Sequence, residues 1–380
     1  MTRVRVAVVS PLPPSPSGVA DYAARLNREL EREFEVTACE SVRAGQFPPC
    51  DVALYHIGNN RLHAGAYRAA IERPGIVVLH DAVLHHFYLG HLGREDYIDE
   101  FVYNEGEWFR DRAAVYWRES GAAESDERYF RYPMLRRIVE RSQAVIVHNR
   151  KALRMVEEAA AALAQGLRIF EIPHFVEPPP VVDSGRAAET RRKLGIPEEA
   201  VVIGCLGYLR PSKRVGTLLD AARSLDGRCA LLLAGEFTSS DYGKSILRRA
   251  GTIPLVRVPH LPEAQWLDMA SIVDICVNLR YPSAGETSGI VMRMMAMGKP
   301  VLVTRGEEVA GLPEHTVIKV DDGDVEVELL SELLRVLAKD ADLRESIGTA
   351  AREHVLAYHS IEGVVEKYVE VIREVASMRE

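Results

Sequence analysis

The stretch Asn278–Thr304, NLRYPSAGETSGIVMRMMAMGKPVLVT, decides the fold. Pro282, Ser283 and Gly285 break any regular element, so it opens as a loop. Thr287 or Ser288 is suited to cap a helix start, Gly298 sits where a helix C′ glycine belongs, and Pro300 follows just beyond. Val301, Leu302 and Val303 then read as a short buried strand. The helix opens straight out of a Gly/Ser/Thr loop. Its free N–H groups, with the positive end of the macrodipole, form a ready anion site. Glu286 stands at the entrance. A carboxylate beside a phosphate site is electrostatically unfavourable, so Glu286 is expected to face sugar hydroxyls. A diphosphate carrying a sugar fits this arrangement. Taken alone, Ser288 and Gly289 serve equally well as the start of a core helix, and the rest of the chain has to decide.

Working outward, short apolar strands alternate with longer amphipathic segments, the pattern of parallel α/β folds. Strands are expected at Val4–Val9, Val52–His56, Ile76–Leu79, Ala144–Val147 and Arg168–Ile172, with helices such as Ala20–Arg32 and Arg136–Arg141 between them. Pro173–Glu189, PHFVEPPPVVDSGRAAE, reads as a linker through its prolines and small polar residues. The alternation then restarts with Val201–Leu206, Cys229–Ala234, Ile272–Val277 and Val301–Thr304, and the tail from Ser331 is strongly helical. The expectation is two doubly wound halves, 1–177 and 191–358, joined by a linker at 178–190. Ligands of such sheets sit beyond the carboxyl ends of the strands, so two of them facing each other would frame a cleft.

At 380 residues the chain exceeds the usual size of a single core. Hydrophobic content of 47% and charged content of 27% are ordinary for a soluble globular protein. A formal net charge of −8 argues against a nucleic-acid partner. No apolar run reaches the roughly 18–20 residues that span a bilayer, and MTRVRVAVVS reads as a first strand, not a signal peptide. Cys39, Cys50, Cys205, Cys229 and Cys276 are odd in number, scattered and without C-x-x-C, as expected of reduced thiols in a cytoplasmic protein.

Chemistry gathers at strand ends. Gly207 closes one strand and Lys213 opens the following helix, where an ammonium would neutralise a diphosphate beside the helix dipole, with Arg210 and Arg214 flanking it. Gly235–Glu236 ends the next strand on the same edge. In the first half, SPLPPSPSG (Ser10–Gly18) separates strand from helix, and Gly18 permits close approach of backbone to ligand. It is no dinucleotide fingerprint, since G-x-G-x-x-G is absent. Asp21 and Tyr22 lie in the first helical turn; capping and packing explain them equally well. HIGNNRLH leaves its strand through Gly58, Asn59 and Asn60, amide donors and acceptors suited to hydroxyl groups, and HDAVLHH puts His80 and Asp81 at a strand end facing the cleft. A zinc site from His80, Asp81, His85 and His86 matches no strong ligand spacing and is disfavoured. Arg110–Arg141, rich in Arg and aromatic residues, suits a lipid-linked acceptor or a peripheral membrane contact. The favoured reading is an ordinary helical insertion packed on the N-terminal half.

Together these residues resemble the two-domain retaining glycosyltransferases of the GT-B fold, family GT4, in a bacterial polysaccharide-type branch. The resemblance covers nearly the whole chain. PLPPSPSGVADYAARL resembles the family's first loop and helix, YHIGNNRLH and VVLHDAVLHHF its acceptor-side loops, GYLRPSKRVGTLLDAA its phosphate-binding strand–loop–helix, and the opening stretch its E-x7-E signature. It implies a GT-B chain of two Rossmann-like domains, with a C-terminal helix, 359–380, returning to the first. The implied activity is transfer of a sugar from a UDP- or GDP-linked nucleotide sugar to a glycan or lipid-linked acceptor, with retention (EC 2.4). No metal or other cofactor is expected, because lysine and the helix dipole take that place. The implied catalytic residues are His80, Glu286 and Lys213. Gly18, Gly207, Arg210, Lys213, Gly235, Glu286, Thr287, Ser288 and Gly289 would bind the donor. Asp21, Tyr22, Asn59, Asn60, His63 and Asp81 would lie on the acceptor side. The chain would work in the cytoplasm or at the inner membrane face. It departs from the pattern in three places. The second signature glutamate, a ribose ligand, falls on Arg293, the first on Gly285 with Glu286 one place later, and the arginine after the Gly207 turn is Tyr208.

Two other readings stand beside the transferase. One is a GT-B scaffold that binds nucleotide sugar without turnover, supported by the missing glutamates and opposed by His80, Lys213 and Glu286. The other is a nucleotide-sugar epimerase, which should depend more on carboxylates for acid/base work.

Overall fold

A computed structural model describes residues 3–42, 45–161, 163, 166–180, 183–225, 229–259 and 262–378. The chain forms two compact units. The first comprises Met1–His174, Pro282–Thr287 and Ile361–Glu380, and the second Phe175–Tyr281 and Ser288–Ser360.

The first unit holds six parallel strands: β1 (Arg5–Val9), β2 (Glu35–Cys39), β3 (Val52–Ile57), β4 (Ile76–Leu79), β5 (Ala144–Val147) and β6 (Arg168–Glu171). Their order is β2-β1-β3-β4-β5-β6. The central strands β3, β4 and β5 are buried along their whole length, as continuous Val/Ile/Leu runs in a sheet covered on both faces must be. The edges β2 and β6 are half-exposed and more polar, which is why β2, with Glu35 and Thr37, escapes an apolar-run search. The helix Gly18–Leu30 starts at Ser17, whose hydroxyl accepts the Val19 N–H. The helix Ile361–Ser377 buries Val364, Val365, Tyr368, Ile372 and Val375 in this unit, and its Tyr368 hydroxyl meets that of Tyr22. Each such fully buried apolar side chain contributes about 1.5–3 kcal/mol.

The second unit holds β7 (Val201–Leu206), β8 (Cys229–Ala234), β9 (Leu255–Val258), β10 (Ile275–Asn278), β11 (Val301–Thr304) and β12 (Ile318–Val320), in the order β12-β11-β10-β7-β8-β9. Counted within the unit this is the doubly wound 3-2-1-4-5-6 arrangement, whose order reverses between its first and fourth strands, here β7 and β10. Separate hydrophobic clusters pack about this sheet, one including Val202, Leu206 and Met294, the other Ile203, Leu219 and Leu334.

Three differences from the sequence reading have local causes. The strand expected at Ile272–Val277 begins only at Ile275, because the preceding helix runs to Ser271, Ile272 caps it in the right-handed helical region, and the Val273 N–H turns back to the Ala270 carbonyl. The segment expected as linker at 178–190 becomes helical at Ser184–Lys193, where the Arg191 guanidinium reaches the Ala200 carbonyl and Asp274; Val181 and Val182 lie outside the described residues. The loop Pro282–Thr287 belongs to the first unit and not to the body expected at 191–358. The region 94–141 folds as short helices around Tyr97, Phe101, Tyr116 and Tyr129, all in the hydrophobic core. Among the described residues no helix is long and apolar enough to cross a membrane.

Candidate functional site

In the second unit the reversal of strand order brings the carboxyl ends of β7 and β10 side by side. Gly207 leaves β7 with φ +84°, a left-handed conformation suited to glycine. A Cβ there would stand 3.1 Å from Lys213 Nζ and 3.2 Å from Ile290. Gly235 is more constrained still: at φ +143° a Cβ would fall 2.1 Å from the Gly207 carbonyl oxygen. The two strand ends therefore touch backbone to backbone. Lys213 ends the single turn Pro211–Lys213, and the helix proper begins at Val215. Its Nζ is buried and donates to the Leu206 carbonyl oxygen at 2.5 Å. Among the described residues no carboxylate pairs with it. Burial first, then repulsion from Arg280 and Arg210, holds its pKa down to about 8.

Beyond β10, Arg280 donates to Ser288 Oγ at 3.0 Å and to Asn278 Oδ1 at 3.3 Å, and its N–H donates to Thr304 Oγ1. Ser288 caps the helix Gly289–Ala296 by accepting the Val291 N–H. The Tyr281 N–H donates to the Ser212 carbonyl oxygen at 2.8 Å and so fixes the lysine turn against this loop. Lys213, Arg210 and Arg280 thus gather with a positive helix end, an arrangement that favours an anion. Arg214 does not join them. It adopts φ +52° and pairs with the buried carboxylate of Glu326. Tyr208 is 47% exposed, and Arg293 lies over the Trp266 ring, 3.4 Å from its centroid.

In the first unit the carboxyl ends of β3 to β6 deliver four histidines, His56, His80, His148 and His174, around the buried ring of Tyr22. Ring centroids lie 6.0, 5.1, 5.5 and 4.7 Å from it in that order. His56 Nδ1 and His80 Nε2 are 2.9 Å apart. Burial lowers all the buried members: His56 to about 3, His63 and His148 to about 4, and His80 well below the usual range. His63 Nδ1 donates to the His56 carbonyl oxygen, and its ring packs with Asp81 against Gly58, where a Cβ would overlap both. Asp81 accepts the Asn59 N–H at 2.9 Å. The side chain of Asn59 is engaged by the Phe87 N–H and His86 Nδ1, and Asn60 caps the turn Arg61–His63, so both serve their own loop. His85 bonds to the Tyr129 carbonyl and the Tyr97 hydroxyl, and His86 to Asn59 and the Ala123 carbonyl. All four nitrogens are engaged, and among the described residues no group of three or more His, Cys, Asp or Glu is placed to hold a metal.

The loop Pro282–Thr287 joins this unit through the Ala82 N–H to the Ala284 carbonyl at 2.8 Å, and through Asn149, which donates to the Gly285 carbonyl and Thr287 Oγ1. Gly285 turns it at φ +74°, close against Ala82. Glu286 is buried, and its Oε2 accepts the Ala284 N–H at 2.8 Å. Gly18 and Asp21 are exposed at the start of their helix, and nothing lies within 4 Å of a Cβ at Gly18, so no protein contact requires glycine there.

The sequence reading overlooked Arg280, His56, His148 and His174. Its missed signal was repetition: VALYH, IVVLH, AVIVH and FEIPH each carry a histidine at or just after the end of a parallel strand.

Residues 213–370 match the family model described as Glycosyl transferase-like. A D-inositol 3-phosphate glycosyltransferase of Corynebacterium urealyticum is 31% identical over 211 residues, which cover 51% of this chain and 48% of that protein. The chain spans about half the length of the relatives it matches. Among solved structures, sucrose-phosphate synthase of Thermosynechococcus elongatus superposes with a TM-score of 0.69 at 15% identity, covering 99% of this chain and 100% of that one. HepE of Anabaena, solved in complex with UDP-glucose, gives 0.67 at 14% identity, covering 98% and 100%. At such identities the structural likeness establishes the fold.

Proposed function

We propose that this chain, a GT-B protein of glycosyltransferase family GT4, transfers a sugar from a nucleotide diphosphate sugar to a glycan or lipid-linked acceptor with retention of configuration. The observation that carries this reading is the buried Lys213 ammonium at the β7–β10 reversal, bonded to a carbonyl and with no carboxylate partner among the described residues. A buried cation without a counter-charge is costly, and an anionic leaving group supplies that charge. Lys213, Arg210, Arg280 and the helix end at Ser288 take the diphosphate. They stabilise the charge that develops on it as the glycosidic bond breaks. His80 and Glu286 act at the sugar, His80 near the oxocarbenium-like centre and Glu286 on the hydroxyls. The acceptor hydroxyl attacks on the face the diphosphate leaves and passes its proton to the departing phosphate oxygen. The cations and helix end occupy the role of a divalent metal, so turnover is expected to persist in EDTA.

The test is incubation of the protein with UDP-, GDP- and ADP-sugars. Release of nucleoside diphosphate with a product of unchanged anomeric configuration by proton NMR supports the proposal. A C2-inverted sugar points to an epimerase. Binding without turnover across an acceptor panel points to a scaffold.

A further inference from the structure

We infer that His56 is a positioning residue: it donates its Nδ1–H to His80 and thereby fixes His80 as a neutral hydrogen-bond donor with its own proton on Nδ1. His56 Nδ1 and His80 Nε2 lie 2.9 Å apart with the rings inclined by only 24°. One proton stands between two nitrogens, so one ring donates and the other accepts.

Which ring donates follows from what the other nitrogens meet. His63 Nδ1 is 3.0 Å from the His56 carbonyl oxygen, and His148 Nδ1 is 2.9 Å from the Ile172 carbonyl oxygen. A carbonyl only accepts, so both rings carry their proton on Nδ1 and leave Nε2 bare. In both, that bare nitrogen is buried and has no partner among the described residues. His56 Nε2 has the same surroundings, buried and without a partner among the described residues. A proton there would be a buried N–H with no acceptor, an arrangement folded proteins seldom tolerate. The His56 proton therefore sits on Nδ1, like those of its two neighbours, and points at His80. Burial keeps both rings neutral near pH 7, so no second proton disturbs this.

The consequence is chemical. The His80 lone pair at Nε2 is occupied, and its proton resides on Nδ1, for which no partner is found among the described residues. His80 is then unable to act as a base through Nε2. It offers a donor to an oxygen acceptor, a sugar hydroxyl. That last step rests on the proposed sugar transfer; the proton assignment does not.

The experiment is a long-range proton–nitrogen correlation spectrum of the full chain labelled with 15N-histidine at pH 7.5, with His80 assigned by its loss in His80→Gln. The expected result is a protonated Nδ1 and a bare Nε2 on His80. His56→Phe should return His80 to an Nε2–H form, whereas His56→Asn, which places an amide donor near the same point, should keep Nδ1–H. In turnover, His56→Phe should lower kcat about tenfold or more with the donor KM within about twofold, and His56→Asn should recover most of it. A protonated Nε2 on wild-type His80, or a His80 pattern unchanged in His56→Phe, overturns the assignment. Should His56→Phe fail to fold, the wild-type and His56→Asn spectra decide. Should no donor be turned over, the spectra still read the proton, so the two proposals fail separately.

Discussion

The hydroxyls of Tyr22 and Tyr368 lie 3.0 Å apart, although 346 positions separate them in the chain. Both are buried, and burial raises the pKa of each phenol, so both remain protonated donors at any ordinary pH. Tyr368→Ala should destabilise the first unit by about 3–5 kcal/mol, the usual cost of deleting a buried aromatic ring. Tyr368→Phe should cost only about 1 kcal/mol, one hydrogen bond. Urea unfolding followed by near-ultraviolet circular dichroism checks both, and equal effects would show that the ring contributes nothing beyond its hydroxyl.

Lys213→Ala should cut turnover by roughly two orders of magnitude or more with the thermal midpoint retained, since a preorganised charge at the leaving group is removed. Because burial and neighbouring arginines hold the ammonium's pKa down to about 8, the ligand-free protein loses this charge above that pH. Affinity for nucleoside diphosphate should therefore decline as pH rises through about 8. Titration calorimetry from pH 7 to 9.5 measures it, and flat affinity would remove the lysine from the site.

Glu286→Gln keeps an oxygen able to accept the Ala284 N–H and so preserves the loop. It should reduce kcat/KM for the nucleotide sugar by about tenfold or more while affinity for the free nucleoside diphosphate changes by less than about twofold. Equal losses in both would contradict a sugar-facing carboxylate.

Acid should unfold the first unit early. His56, His63 and His148 are held by burial to about 3, 4 and 4, below the ordinary histidine value near 6.5. The unfolded chain takes up these protons first, so the stability they contribute is full above pH 6.5 and is lost as pH falls towards 4. Each unit of depression is worth about 1.4 kcal/mol. Denaturant midpoints between pH 7 and 4.5 should fall steeply, and His148→Gln should flatten that slope.

Gly235→Ala should be among the costliest single-methyl changes in the chain. Its Cβ would lie 2.1 Å from a backbone oxygen at a positive φ, so the ends of β7 and β8 would have to part. A loss of at least about 2 kcal/mol is expected, with nucleotide affinity falling in parallel. A Gly235→Ala protein with unchanged melting would show that these strand ends yield freely.

The parallel strands were legible because their buried runs are unbroken: Ile76–Leu79, Ala144–Val147, Val201–Leu206 and Cys229–Ala234 have the bounds their apolar residues suggest. The edges were not, since Glu35–Cys39 and Ile318–Val320 carry polar residues on faces that water reaches. Lys213 and Ser288 could be found from a glycine-ended strand and a capping position. Arg280 could not, because its place depends on β10 lying beside β7, a pairing of distant segments that local spacing does not encode. The histidine ring around Tyr22 is of the same kind: each member is ordinary in its own window, and only sheet order makes them neighbours.

The loop Pro282–Thr287 has a consequence for protein engineering. The polypeptide passes from one unit to the other after His174, Tyr281, Thr287 and Ser360. Neither unit is thus a single uninterrupted length of chain, and a protease cut in the segment around Pro178 would leave Pro282–Thr287 and the C-terminal helix of the first unit on the same fragment as the second unit. A chimera exchanging the second unit for a homologue's must keep those six residues with the first, or it would strip Ala82 and Asn149 of their partners.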